Sequence, residues 1–147
     1  MQIADILREK GSEVTTVSGD ATMLEAIGML AERRIGALPV SADGRALEGI
    51  VSERDVVRAL ADGIDGLRAM AVRELMTTPV HVCSPEATLA EAMALMNERR
   101  IRHVPVVADG ALVGILSMRD LVDARLREAE AERQRMAEYI ADPGALG

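Results

Sequence analysis

One pattern is written twice in this chain. GIVSERDVV at residues 49–57 and GILSMRDLV at residues 114–122 each run from an apolar step, through a serine and an arginine–aspartate pair, back to apolar residues. Upstream, ATMLEAIGMLAERRIGALPVSADG (21–44) aligns without a gap on ATLAEAMALMNERRIRHVPVVADG (87–110), and one extra residue, Arg45, follows in the first copy. Repetition on this scale marks each copy as one supersecondary unit. A unit of about sixty residues buries too little apolar surface to be comfortable alone, whereas two units packed together can share an interior. The duplication therefore limits the fold more than any other feature.

Each copy has the same local grammar. An extended run comes first, VTTV (14–17) or PVHVCS (79–84). Thr22 and Thr88 then stand three residues ahead of Glu25 and Glu91, the spacing of a capping box. Apolar positions such as Leu24, Ile27, Leu30 and Ala31 predict helices over roughly 22–34 and 88–100, closed by the pairs Arg33–Arg34 and Arg99–Arg100. A hairpin follows, with Asp43–Gly44 or Asp109–Gly110 as its turn, and a last helix begins at Ser52 or Ser117. The expected fold class is α/β (α+β): tandem strand-helix-strand-strand-helix repeats forming one pseudo-two-fold module. The expected divisions are 1–68 for the first repeat with its N-terminal segment, 69–125 for a linker helix and the second repeat, and 126–147 for a C-terminal helical tail. Leu121, Val122, Leu126, Ala129, Met136, Tyr139 and Ile140 place an apolar stripe along a helix from about Ser117 to Ile140. Such a stripe suits a dimer-supporting helix anchored by Tyr139.

Composition narrows the functions. A formal charge of −7 disfavours nucleic acid, whose binding draws on phosphate neutralisation by Lys and Arg. With no Phe, no Trp and one Tyr, the stacking platforms for single strands are missing as well. No apolar run suits a membrane helix, the N-terminus MQIADILREKG is charged where a secretion signal is apolar, and Cys83 has no partner for a disulfide. The expectation is a soluble, cytoplasmic protein. His81 and Cys83 alternate on PVHVCS and so share a face, but with only His103 besides them the ligands are too few for a zinc site, and no metal is expected.

The pattern T-x-x-E-A, I-x-x-x-P-V, D-G and G-I-[VL]-S-x-R-D resembles the CBS domain, and its repetition over residues 1–125 resembles a CBS pair, or Bateman module. The entry segment and the tail LREAEAERQRMAEYI are similar to those of stand-alone bacterial members. The resemblance implies a regulatory module binding AMP, ADP, ATP, NAD(H) or S-adenosylmethionine in clefts between the repeats, commonly as a homodimer, with a protein target that the sequence does not name.

The resemblance also implies roles. Asp55 and Asp120 match the acidic position that holds a ribose diol, a task suited to an acceptor-only carboxylate. Ser52 and Ser117 open helices whose free N–H groups favour phosphate. Ser-x-x-Asp equally describes a cap that stabilises a helix with no ligand. One cleft is expected to hold Asp120, Ser117, Arg102 and His103, with Thr15, Thr16 and Ile35 near the base. The other is expected to hold Ser52, Asp55 and Ala37, facing Thr78, His81, Val82 and Ile101. Only the second copy supplies cations, Arg102 and His103, where the first has Gly36 and Ala37, so the Asp120 cleft is expected to be the better phosphate site. Arg54 and Arg119 are expected to make surface ion pairs. A non-catalytic scaffold with vestigial clefts is the main competing reading. A nucleotide-acting enzyme is the weaker one, for the sequence has no phosphate loop or nucleophile motif.

Overall fold

Both repeat helices start at their expected caps. A computed structural model describes residues 1–141, and in it the helices are α2 (Met23–Arg33) and α5 (Leu89–Arg99), which follow α1 (Ile3–Lys10), with α3 (Glu53–Ala61) and α4 (Val72–Leu75) between. The Thr22 hydroxyl accepts from the Glu25 N–H at 3.2 Å while the Glu25 carboxylate accepts from the Thr22 N–H at 3.1 Å; Thr88 and Glu91 repeat the arrangement at 3.1 and 3.2 Å. Caps of this kind are worth about 1 kcal/mol each. Both helices end on an arginine in the left-handed region, Arg34 and Arg100, each with φ of 54°.

Strands β1 (Ala37–Val40) and β2 (Gly49–Ser52) form one antiparallel ribbon, and β3 (His103–Ala108) and β4 (Ala111–Ser117) form a second. The 24-residue helix α6 (Met118–Ala141) follows β4, and residues 142–147 of the expected tail lie outside the described residues. The two expected opening strands shrink to single parallel bridges, Val17 to Val40 and Cys83 to Val106. Prolines explain this. The Val17 N–H reaches the Pro39 carbonyl and the Cys83 N–H the Pro105 carbonyl, both at 3.1 Å. Extending either ladder one step towards the N-terminus would need an N–H from Pro39 or Pro105, which neither has. The hairpins also differ. Asp109 and Gly110, with φ of 52° and 77°, close a tight two-residue turn. The first loop, lengthened by Arg45, is wider and is held by the Asp43 carboxylate, which accepts from the Arg45 and Ala46 N–H groups.

The interior has two centres, built crosswise. Helix α1 places Ile3, Ile6 and Leu7 in the core of the second half, among Leu89, Met96, Val104, Leu116 and Leu121. The segment joining the halves supplies Leu67 and Val72 to the core of the first, among Met23, Leu38, Val40 and Val51. Backbone bonds repeat this exchange. Ile3 donates to Ala87 and Leu89 to Met1, at 2.8 and 3.0 Å; Val72 donates to Ala21 and Met23 to Met70, at 2.8 and 2.7 Å. Each half is thus closed by a short helix that precedes the other half in sequence. Two equivalent glycines make room for it. A Cβ on Gly49 would lie 2.5 Å from the Met76 sulfur, and one on Gly114 would lie 2.7 Å from a Leu7 methyl.

Candidate functional site

The crosswise packing brings the starts of α3 and α6 to one cleft between the halves, about 970 Å³ in volume. Thr15, Ile35, Ala37, Ser52 and Asp55 line it from the first half, and Ile101, Arg102, His103, Ser117 and Asp120 from the second. Thr16, Thr78, His81 and Val82 are not among its lining residues, and Thr77 stands on the wall instead of Thr78. Where two separate clefts were expected, the two serine–aspartate helix starts share a single one.

Both starts have capping geometry. Asp55 Oδ2 accepts from the Ser52 N–H at 2.8 Å and from its hydroxyl at 3.0 Å; Asp120 Oδ2 accepts from the Ser117 N–H at 2.8 Å. The capping reading of these residues is therefore real. It leaves ligand binding open, because an ionised carboxylate has about four acceptor positions.

Their other partners differ. Asp55 Oδ1 accepts from the Thr77 hydroxyl at 3.3 Å, whereas Asp120 Oδ2 accepts from the Lys10 ammonium at 2.6 Å. Burial raises the Asp120 pKa, but Lys10 and the Ser117 bonds outweigh that and hold it below the ordinary value. Neither Lys10 nor Thr77 was anticipated from sequence. A signal was present nonetheless: Gln2-Ile3-Ala4-Asp5-Ile6-Leu7 matches Ala71-Val72-Arg73-Glu74-Leu75-Met76 in its apolar positions and in its acidic third helical residue. Lys10 and Thr77 lie just beyond these two matched segments.

The cations also differ from expectation. Arg34, Arg54 and Arg58 of the first half line the same cleft as Lys10, Arg102 and Arg119, so the positive groups are not confined to the second copy. Four carboxylates, Glu13, Glu53, Asp55 and Asp120, accompany these six cations, so the cleft is net positive in a chain of charge −7. Arg54 and Arg119 form no ion pair among the described residues. The Arg54 guanidinium instead donates to the Arg100 carbonyl at 2.8 Å, fastening α3 of one half to the end of α5 in the other.

His103, expected to be a cation, lines the cleft in surroundings that disfavour its charged form. Burial pushes its pKa below the ordinary value, the Arg102 charge adds to this, Glu53 and Asp120 oppose it, and Lys10 adds a smaller push downwards. Its ring packs on Gly36, where a Cβ would lie 2.7 Å from the His103 Cε1. Gly36 is small because the histidine of the other copy sits against it. A group with a depressed folded pKa contributes stability that is present above its unfolded pKa and lost as pH falls through the folded one. Unfolding free energy measured by denaturant titration from pH 7.5 to pH 5 is expected to fall, and His103→Gln to flatten part of that slope. An unchanged slope in the variant would refute the assignment.

Elsewhere, His81 is exposed, and Cys83 is half-buried with its thiol pushed up to about 11 by burial. No helix among the described residues is long and apolar enough to cross a membrane.

Fold and cleft together define a class: a tandem-repeat module with a charged cleft between pseudo-symmetric halves. The family model for the CBS domain matches the chain twice, over residues 3–62 and 72–127. The chain belongs to the CBS-domain family. It is similar to a CBS-domain-containing protein from Agrobacterium tumefaciens, at 40% identity and TM-score 0.80, covering 85% of this chain and 99% of that one. It is similar to CBSX2 solved in complex with AMP, at 30% identity and TM-score 0.73, covering 87% and 98%. The CBS domain pair of protein MJ0100, solved with 5-methylthioadenosine and S-adenosyl-L-methionine, is similar at 26% identity and TM-score 0.74, covering 84% and 98%.

Proposed function

We propose that this protein is a non-catalytic regulatory module that senses an adenine nucleotide, AMP-type or NAD-type, in the cleft between its repeats. Binding shifts a conformational or dimer equilibrium that a protein target reads. One observation carries this reading: two pseudo-equivalent serine–aspartate helix starts, Ser52–Asp55 and Ser117–Asp120, share one net-positive cleft. A carboxylate suits a ribose diol, and surrounding arginines suit phosphate. AMP in CBSX2 and the adenosine compounds in MJ0100 support the ligand class. The positive excess favours a phosphorylated ligand over the cationic sulfonium of S-adenosylmethionine.

The dimer is part of this proposal. Beyond Ala124, helix α6 leaves Leu126, Met136, Tyr139 and Ile140 between 51% and 75% exposed. Residues 125–138 carry four arginines and four glutamates. A neutral, self-complementary segment with an apolar stripe suits a second copy of an otherwise acidic chain.

A thermal-shift panel with AMP, ADP, ATP, NAD, NADH and S-adenosylmethionine tests the function. Ligand at about one hundred times its dissociation constant adds roughly 2.7 kcal/mol of stability. The melting temperature should then rise by about 5–10 °C. No shift with any of the six would favour the scaffold reading, and turnover of a ligand would favour an enzyme.

A further inference from the structure

The cation facing Asp120 comes from outside both repeats' core motifs. Lys10 is the last residue of α1, and Gly11 with φ of 98° follows it. Its ammonium donates to Asp120 Oδ2 at 2.6 Å and to the Ile115 carbonyl at 2.8 Å. The side chains of Lys10 and Asp120 are 32% and 21% exposed, so the pair sits at the cleft wall and not in open solvent. The equivalent Asp55 has only hydroxyl and backbone donors among its hydrogen bonds.

Donor and acceptor accounting shows what the pair can still do. An ammonium has three donors, and two are used. Asp120 accepts both its bonds through Oδ2, leaving Oδ1 free of protein donors. A pair of fixed geometry therefore presents one N–H donor and one carboxylate oxygen side by side. Those are the complements of a phosphate oxygen and a sugar hydroxyl. Because α1 is packed into the second core through Ile3, Ile6 and Leu7, the ammonium is held in place before any ligand arrives. A charge positioned in advance loses less entropy on binding than a free surface lysine.

We propose that Lys10 is the specificity residue by which this cleft prefers a phosphorylated nucleoside to the bare nucleoside, with Asp120 holding the sugar and Lys10 the phosphate. This rests on the adenine-nucleotide reading given above, and adenosine and AMP as paired probes separate the two. Isothermal titration of the full chain should show AMP binding more tightly than adenosine. In Lys10→Gln the AMP advantage should fall by about ten- to a hundredfold, the range of one charged hydrogen bond. Lys10→Arg, which keeps the charge, should recover most of it. A lysine that only braces α1 would alter the melting temperature while leaving the ratio of the two affinities unchanged. If wild type binds AMP preferentially and Lys10→Gln keeps the full preference, the role of Lys10 is overturned and the nucleotide reading stands. If wild type binds adenosine and AMP equally, the role also fails. If wild type binds neither, both fail together. Should Lys10→Gln not fold, Lys10→Arg and the salt dependence of the wild-type ratio decide the question. A ratio insensitive to salt overturns the proposal, because an exposed ammonium–phosphate contact weakens as salt rises.

Discussion

Ile6→Ala is expected to remove about 2–5 kcal/mol of folding free energy, although it lies within the first seven residues of the chain. Residues so close to a terminus are ordinarily frayed and tolerant of change. Here Ile6 is 2% exposed and packs in the second core with Ile3, Leu116 and Leu121. Truncating it removes the transfer free energy of three carbons and leaves a cavity that a core held by backbone bonds from Ile3 and Leu89 cannot easily close. For a chain of this size the melting temperature should drop by roughly 5–15 °C. Leu24→Ala is the control: Leu24 is 47% exposed on α2, and its loss should cost much less. Denaturant titration of both variants measures the difference. If Ile6→Ala costs no more than Leu24→Ala, α1 is not part of the core, and the positioning of Lys10 loses its basis.

The second large effect concerns binding. Asp120→Asn is expected to weaken AMP by about ten- to a hundredfold, the range for losing hydrogen bonds to a charged acceptor, and to do so more than Asp55→Asn. Asparagine keeps the shape and one acceptor oxygen, so the bond from the Ser117 N–H that caps α6 can persist. What it loses is the charge and the acceptor-only character that suit a pair of sugar hydroxyls. Lys10 would also lose its anionic partner. Asp55 is held by hydroxyl groups and has no such cation, so its exchange should disturb the cleft less. Calorimetric titration with AMP, alongside a melting curve for each variant, separates the roles. Lost stability with wild-type affinity would make Asp120 a cap and nothing more.

Much of the site was legible because helix starts are local. Thr22–Glu25, Thr88–Glu91, Ser52–Asp55 and Ser117–Asp120 close their bonds across three residues, so spacing alone sufficed to propose them. The opening strands are shorter than expected because an extended run says nothing about whether the opposing strand can donate. Pro39 and Pro105 lie too far along the chain for that reading to include them. The resemblance makes His103 a cation by its position in the family pattern, but its charge depends on burial and on Arg102, Glu53 and Asp120 around it.

From the sequence alone came the duplication, the order of elements within each copy, the capped helices and the two serine–aspartate pairs, all of which depend on contacts only a few residues apart. Only the tertiary structure decided that each half is closed by the helix preceding the other, that the two helix starts open on one cleft, and that Lys10 meets Asp120 from 110 residues away. Contacts at such separation are set by which apolar faces find each other in three dimensions, and a linear pattern does not carry that information.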